Sequence, residues 1–190
     1  MAIILASQSP RRRELLGQMG ISDFIIRPAQ GEEKSAPGLS PAQLVEALSL
    51  QKGVEVAVSA APGDLVISAD TVVAVDDRVL GKPHSREEAA AMLASLSGRT
   101  HTVYTGVTVC RDGNVLTEHE ATAVRFRSLT PGEIAAYVAT GEPMDKAGSY
   151  GVQGKGALLV EKLNGDFFNV MGLPVLRLSR MLAQFAVNLL

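Results

Sequence analysis

Apolar residues along the chain follow two rhythms. Short apolar runs bounded by polar, Gly or Pro residues mark strands, and apolar residues three or four apart behind a capping residue mark helices. Ala2-Ile-Ile-Leu-Ala6 reads as a buried strand, and Ser9-Pro10 as the cap and first turn of a helix that Gly17 and Gly20 end. Phe24 to Arg27 reads as a second short strand, and residues 28–40 as a loop carrying Glu32-Glu33. Ser40-Pro41 repeats the cap, and Leu44, Val45 and Leu48 continue a helix to about Ala60. After the turn Pro62-Gly63-Asp64 comes a long β-favouring run, Leu65 to Val75, with polar residues at its centre. Asp76-Asp77 turns it into a short strand ending at Leu80.

Ser85-Arg-Glu-Glu88 has the form of a capping box and predicts a helix to Leu96. Residues 101–110 and 115–127 are β-rich and flank Asp112-Gly113-Asn114, a hairpin signal. Thr130-Pro-Gly-Glu133 opens another helix, ending at Gly141. Residues 142–156 are rich in Gly and polar groups. Two strands joined by Asn164-Gly165 are expected next, then an amphipathic helix opened by Gly172-Leu-Pro174. Mixed strands and helices with several hairpins predict an α/β or α+β chain whose sheet is not all-parallel.

Length and composition narrow the class. The chain has 190 residues, 46% apolar and 20% charged, which is ordinary for a globular protein and unlike a disordered one. Eighteen basic against twenty acidic residues give a net charge of −2, without the basic excess of a nucleic-acid binder. One cysteine, Cys110, excludes an intrachain disulfide and fits a reducing, cytoplasmic compartment. Met1 to Ala6 is too short for a signal peptide, and no apolar run approaches the ~20 residues of a membrane span. No membrane partner is expected.

Five features could carry chemistry. Arg11-Arg12-Arg13 follows an N-cap serine, where cations oppose the helix dipole. They form either a solvated basic face or a phosphate site, which suits the guanidinium fork. Asp70 sits inside an apolar strand, where a carboxylate needs a partner: a metal, a proton to accept, or an ion pair. Glu32-Glu33 is a pair of hard oxygen donors on a loop, or simply solvated. Lys52 and Gly81-Lys82-Pro83 are possible phosphate contacts or surface residues. Asp145 to Gly154, glycine-rich but without the ending of a phosphate-binding Walker loop or the Rossmann fingerprint, is either a flexible loop or a backbone-lined ligand wall. His84, His101 and His119 lie on separate segments without zinc-ligand spacing, and Cys110 reads as a packed thiol.

The wording and order of five blocks are more specific than any one of these. LASQSPRRRELL, SADTVV, GKP, LSGRTHTVYTGV and DKAGSYGVQGKGALLVEKLNGDFFNVMGLPV, spread from Leu5 to Val175, closely resemble the Maf family of nucleoside triphosphate pyrophosphatases. The resemblance implies one domain over residues 1–190: an elongated mixed β-sheet with flanking helices, two lobes around a nucleotide-binding cleft, Maf/ITPase-like. It implies hydrolysis of a nucleoside triphosphate to the monophosphate and pyrophosphate, with a divalent cation (Mg²⁺ or Mn²⁺) and a homodimer. The family's catalytic carboxylate falls on Asp70, which would activate water directly or through a metal. Ser7, Ser9, Arg11 and Arg12 match the phosphate-binding motif, and Lys52 and Lys82 the other basic positions. Glu33 matches an acidic position that would join Asp70 on the metal.

The family divides by substrate, and the residues associated with the choice fall on Arg11, Thr71 and Gln153. Tyr150-Gly-Val-Gln-Gly154 resembles the branch acting on dTTP and UTP, whose base edge offers both a donor and an acceptor, as an amide does. The branch preferring 7-methyl-GTP typically has glutamate in place of Gln153. Pyrophosphatase activity on 7-methyl-GTP and a nucleotide-binding regulator of septum formation are the alternatives. The sequence departs from the family wording at Gly53, where a small helix former such as Ala is expected, a loosening of up to ~1 kcal/mol. It departs again at Gln8, where Gly is common.

Overall fold

The first apolar run forms strand β1 (Ile3–Leu5). The computed structural model of the chain, which describes every residue except Ser35, Ala36 and Asp77, sets β1 between two parallel neighbours. These are β2 (Ile25–Ile26) and β3 (Leu65–Val75). Parallel pairing needs crossover connections, and α1 (Pro10–Gln18) and α2 (Pro41–Ala57) lie in them. Strand β3 turns back at Asp76 onto β4 (Arg78–Leu80), antiparallel, with Val73 opposite Leu80. Asp77 of that expected turn, and residues 35–36 of the expected 28–40 loop, lie outside the described residues.

After α3 (Arg86–Leu96), the longest strands, β5 (Thr100–Arg111) and β6 (Asn114–Phe126), are joined by Asp112-Gly113. Both turn residues have positive φ (50° and 80°), as a tight twist-matched hairpin turn requires. Helix α4 (Pro131–Ala139) and a series of 3₁₀ turns lead to β7 (Val160–Asn164), antiparallel to β6. The chain ends in α5 (Phe167–Met171) and α6 (Val175–Gln184). The seven strands are ordered β2-β1-β3-β5-β6-β7, with β4 on β3: the mixed, helix-flanked sheet that the α/β reading expected. Among the described residues no helix is long and apolar enough to cross a membrane.

The Asn164-Gly165 hairpin does not form. Asp166 takes the N–H of Phe168 at 2.8 Å, and its backbone N–H and carbonyl both bond Thr122 Oγ1, at 3.1 and 3.0 Å. A side-chain oxygen offered to a backbone N–H two residues on starts a helix, so the expected second strand is α5. Two caps also differ from expectation. Ser9 stands at the N-cap of α1, but its side chain makes no capping bond. Ser85 caps α3 through the N–H of Glu88 (3.1 Å), whereas Glu88 reaches His84 N–H (2.7 Å) and not that of Ser85. Thr130 and Glu133 do form a reciprocal box.

The chain groups into two compact units. The first comprises Met1–Asp70, Thr105–Glu120 and Gly172–Leu190; the second comprises Thr71–Tyr104 and Ala121–Met171. One cluster of the first unit's core joins Ile4, Ala6, Val56, Val66 and Cys110. The second centres on Leu93, Leu96, Val103, Phe126, Tyr137 and Tyr150. In the first unit α2 lies hard against the sheet. A Cβ on Gly53 would stand 2.7 Å from Ser68 Oγ and 3.3 Å from Cys110 Sγ. One on Gly106 would run into the carbonyl of Val45 and come within 2.8 Å of Glu46 N. The glycine that breaks the family wording therefore lets helix and sheet touch.

Candidate active site

The close approach of α2 determines what Asp70 meets. Side chains alternate along a strand, so Ser68 and Asp70 share a face of β3. Ser68 is fully buried and donates to the carbonyl of Ser49 at 2.6 Å, which pins the strand to α2. A hydroxyl chain continues from Ser49 to Thr108 (3.1 Å) and on to Thr117 (2.9 Å). Lys52 lies three residues, nearly one helical turn, beyond Ser49, and Asp70 two residues beyond Ser68. There Lys52 Nζ donates to Asp70 Oδ1 at 2.5 Å. The same ammonium meets Glu33 Oε1 at 2.8 Å. The side chains of Lys52 and Asp70 are only 19% and 13% exposed, against 58% for Glu33, so the ion pair is mostly sheltered while one carboxylate opens to water. The carboxylate in the apolar strand has a cation as its partner.

Arg12 approaches from α1. Its Nε donates to the carbonyl of Gly172 (2.8 Å) and its Nη1 to Ser7 Oγ (3.1 Å). The first and last blocks of the sequence pattern thus meet at one guanidinium. Burial lowers the Arg12 pKa; Asp70 opposes this, Arg11 lowers it further, and Glu33 raises it. Arg12, Arg11, Asp70 and Glu33 therefore sit within one electrostatic neighbourhood. Ser7 is buried, and its oxygen also accepts the N–H of Ser9 at 3.2 Å. Arg13 turns away, to the carbonyl of Gln8 (2.9 Å). The first unit thus brings together Ser7, Arg12, Glu33, Lys52 and Asp70, with Ser9 and Arg11 alongside.

Thr71, Lys82 and Gln153 belong to the second unit. Thr71 is half-buried on β3, while Lys82 and Gln153 are exposed. The segment before Gln153 is fastened near Lys82: Gly148 N–H donates to the carbonyl of Gly81 at 3.0 Å, and a Cβ on Gly148 would strike Val73.

The donor set around Lys52 bears on the expected cation. Glu33 and Asp70 supply two hard oxygen donors converging on one positive centre, a donor set whose chemistry fits Mg²⁺ or Mn²⁺. Among the described residues no cluster of three or more His, Cys, Asp or Glu could hold a metal by itself.

Two residues that sequence reasoning passed over hold Glu33 in place. Gln51 Nε2 donates to the carbonyl of Glu32 (2.7 Å), and its Oε1 accepts the N–H of Lys34 (3.1 Å), so one amide brackets Glu33 on both sides. Glu55 takes the N–H groups of Gln30 and Gly31 at 2.6 and 3.0 Å. The signal was the shared face of α2: Gln51 and Glu55 are four apart and flank Lys52.

A family model described as Maf-like protein matches residues 2–185. A protein of Moorella thermoacetica named dTTP/UTP pyrophosphatase is 54% identical over 188 residues, covering 98% of this chain and 96% of its own. A Bacillus pumilus protein of the same name is 50% identical over 186 residues, covering 98% and 97%. Among solved structures, a HAM1 protein from Coxiella burnetii shares the fold with a TM-score of 0.53 at 17% identity, over 97% of this chain and 100% of that one.

Proposed function

The chain belongs to the Maf family, and from that premise we propose that it cleaves dTTP and UTP to the nucleoside monophosphate and pyrophosphate. The observation that carries the reaction class is the Asp70–Lys52–Glu33 group beside Arg12. It sets one carboxylate among fixed positive charges, as hydrolysis of a polyphosphate needs. The nucleotide is taken from the names of the full-length relatives.

Glu33 and Asp70 would hold a divalent cation, which when bound supplies positive charge at the phosphate oxygens. Arg12, oriented by the Gly172 carbonyl and Ser7, presents its planar fork to the triphosphate, and Arg11 adds a second charge. Lys52 exchanges carboxylate oxygens for phosphate oxygens as substrate enters. An Asp70 carboxylate oxygen accepts a proton from water as the water oxygen bonds to the α-phosphorus and the bond from that phosphorus to the α–β bridging oxygen breaks, releasing pyrophosphate. Ser7 and Ser9 complete the phosphate contacts. In the second unit Lys82 is assigned to phosphate, and Thr71 and Gln153 to the choice of base. A homodimer and a cytoplasmic location belong to the same reading, and analytical ultracentrifugation tests the dimer.

The test is pyrophosphate release from dTTP, UTP, CTP, GTP and 7-methyl-GTP with Mg²⁺. Turnover greatest on dTTP and UTP is the expected result. Preference for 7-methyl-GTP would overturn the nucleotide assignment and keep the chemistry. No release from any of them would overturn the reaction and favour a nucleotide-binding regulator.

A further inference from the structure

The segment that carries Gln153 is wound around one carboxylate. Glu142 begins the 3₁₀ turn Glu142–Asp145 that follows α4. Its Oε2 accepts the N–H of Lys155 at 2.9 Å. Its Oε1 accepts the N–H of Gly156 at 3.0 Å and the Tyr137 hydroxyl at 2.9 Å. The Tyr137 oxygen in turn accepts the N–H of Gly151 at 3.1 Å. Residues 151–156 are therefore fixed at both ends by one Glu142–Tyr137 pair, with Gln153 exposed on the span between.

The span presses close to its anchor. A Cβ on Gly154 would stand 2.6 Å from the carboxyl carbon of Glu142, and one on Gly156 2.6 Å from Tyr137 Oη. Lys146 ties the anchor from the other side, donating to the Glu142 carbonyl at 2.7 Å. Burial by itself would raise the Glu142 pKa. The N–H groups of Gly156 and Lys155, the Tyr137 hydroxyl and the Lys146 charge outweigh it and hold the group ionised below its ordinary range.

We propose that Glu142 is a positioning residue for nucleobase selection, holding residues 151–156 so that the Gln153 amide meets the base in one orientation. This rests on the reading of Gln153 as the residue that recognises the base. The physical need is specific to pyrimidines. Uracil offers a ring N–H and a carbonyl side by side; cytosine offers a ring acceptor and an amino donor. An amide presents one donor and one acceptor, and turning it over suits the other base. On a loose span the whole side chain can shift to suit either base; a fixed span holds the pivot of the amide at one place against the base edge and so favours one.

The experiment compares kcat/KM for UTP and CTP in the wild type, Glu142→Gln, Gln153→Ala and the double variant. Glu142→Gln keeps the side chain's size but turns an amino group toward N–H donors. The expected result is a loss of about tenfold in the UTP-to-CTP ratio, carried by KM for UTP with kcat for UTP little changed. In the double variant the ratio should fall no further than in Gln153→Ala alone, because one residue acts through the other. Gly154→Ala, which crowds the anchor and leaves its carboxylate intact, should reproduce the loss. Tyr137→Phe, which cuts the tie to Gly151, should do the same. These two carry the test if Glu142→Gln fails to fold.

Folded variants with the wild-type ratio would overturn the inference, as would losses that add in the double variant. If Gln153→Ala alone left the ratio unchanged, the reading of Gln153 would fail with it. A lowered ratio in Gln153→Ala and an unchanged one in Glu142→Gln would overturn only the inference.

Discussion

Lys52 is where the chemistry of the first unit concentrates, because one ammonium neutralises two carboxylates on different segments, Glu33 and Asp70. Removing either kind of partner has a distinct consequence. Asp70→Asn keeps shape and volume but gives up the proton acceptor. Turnover should fall by about 10²–10⁴-fold, the usual worth of general-base help, with nucleotide binding retained by calorimetry. Unaltered turnover would remove Asp70 from the mechanism. Lys52→Met should do the reverse for cations. Two carboxylates lose their shared positive charge, so a divalent cation has more to gain by binding there. The variant's Tm should rise with Mg²⁺ by more than that of the wild type, read by thermal shift without nucleotide. An Mg²⁺ response no larger than the wild type's would count against Glu33 and Asp70 as the cation site.

At the scale of the elements, the site depends on how near α2 comes to the sheet. Gly53 reads as a weakness on helix propensity alone, and an alanine there should gain up to ~1 kcal/mol. Tertiary packing reverses that sign. The new Cβ would sit 2.7 Å from the buried Ser68 Oγ, which is bonded to the Ser49 carbonyl and can move aside only by giving up that bond. At Gly106 the obstacle is the α2 backbone itself, at Val45 and Glu46. Gly53→Ala should destabilise by about 1–3 kcal/mol and Gly106→Ala by at least as much, the usual range for overpacking. Both should slow turnover, since lifting α2 draws Lys52 from Asp70. Denaturant unfolding checks the first statement and pyrophosphate release the second. Most elements were legible from capping residues and apolar rhythm: α2, α4 and the β5–β6 hairpin announce themselves locally. Asn164-Gly165 misled because a two-residue turn signal competes with Asp166, whose side chain starts α5. That outcome is settled partly by Thr122, far away in sequence, which no local pattern contains. Asp70 was legible as a carboxylate needing a partner and Lys52 as a lone lysine. Their meeting needed α2 laid on β3. Gln51 shared a face of α2 with Glu55 beside Lys52, a signal of place but not of partner. Glu142 was invisible for a related reason: it acts by receiving backbone hydrogen bonds, which no residue pattern spells out.

At the scale of the whole molecule, folding places one titratable ring where charge is disfavoured. His101 is 2% exposed and packed edge-on against Phe126 and Tyr150, with ring centroids 4.9 and 5.3 Å away. Its Nε2 shares a 2.8 Å hydrogen bond with the Tyr150 hydroxyl, and Nδ1 is buried with no partner among the described residues. Burial lowers its pKa from 6.5 to about 4. Above pH 6.5 the ring is neutral in both the folded and unfolded chain, and its contribution to stability is complete. Between 6.5 and about 4 only the unfolded chain gains the proton, so the unfolded state is favoured as the pH falls. Below 4 the folded ring takes up its proton too, both states are then charged, and the loss levels off. His101 should therefore withdraw about 3 kcal/mol of stability across that window. Because it belongs to the second unit's core, the loss should appear in global unfolding and not in local fraying. His101→Phe keeps an aromatic ring among Phe126 and Tyr150 but cannot take a proton. It should be less stable at pH 7.5, where the Tyr150 bond is lost, yet lose less on acidification than the wild type. Urea unfolding at pH 7.5, 6, 5 and 4.5 measures both slopes. Parallel slopes for the two proteins would mean that the acid response arises elsewhere than at this ring.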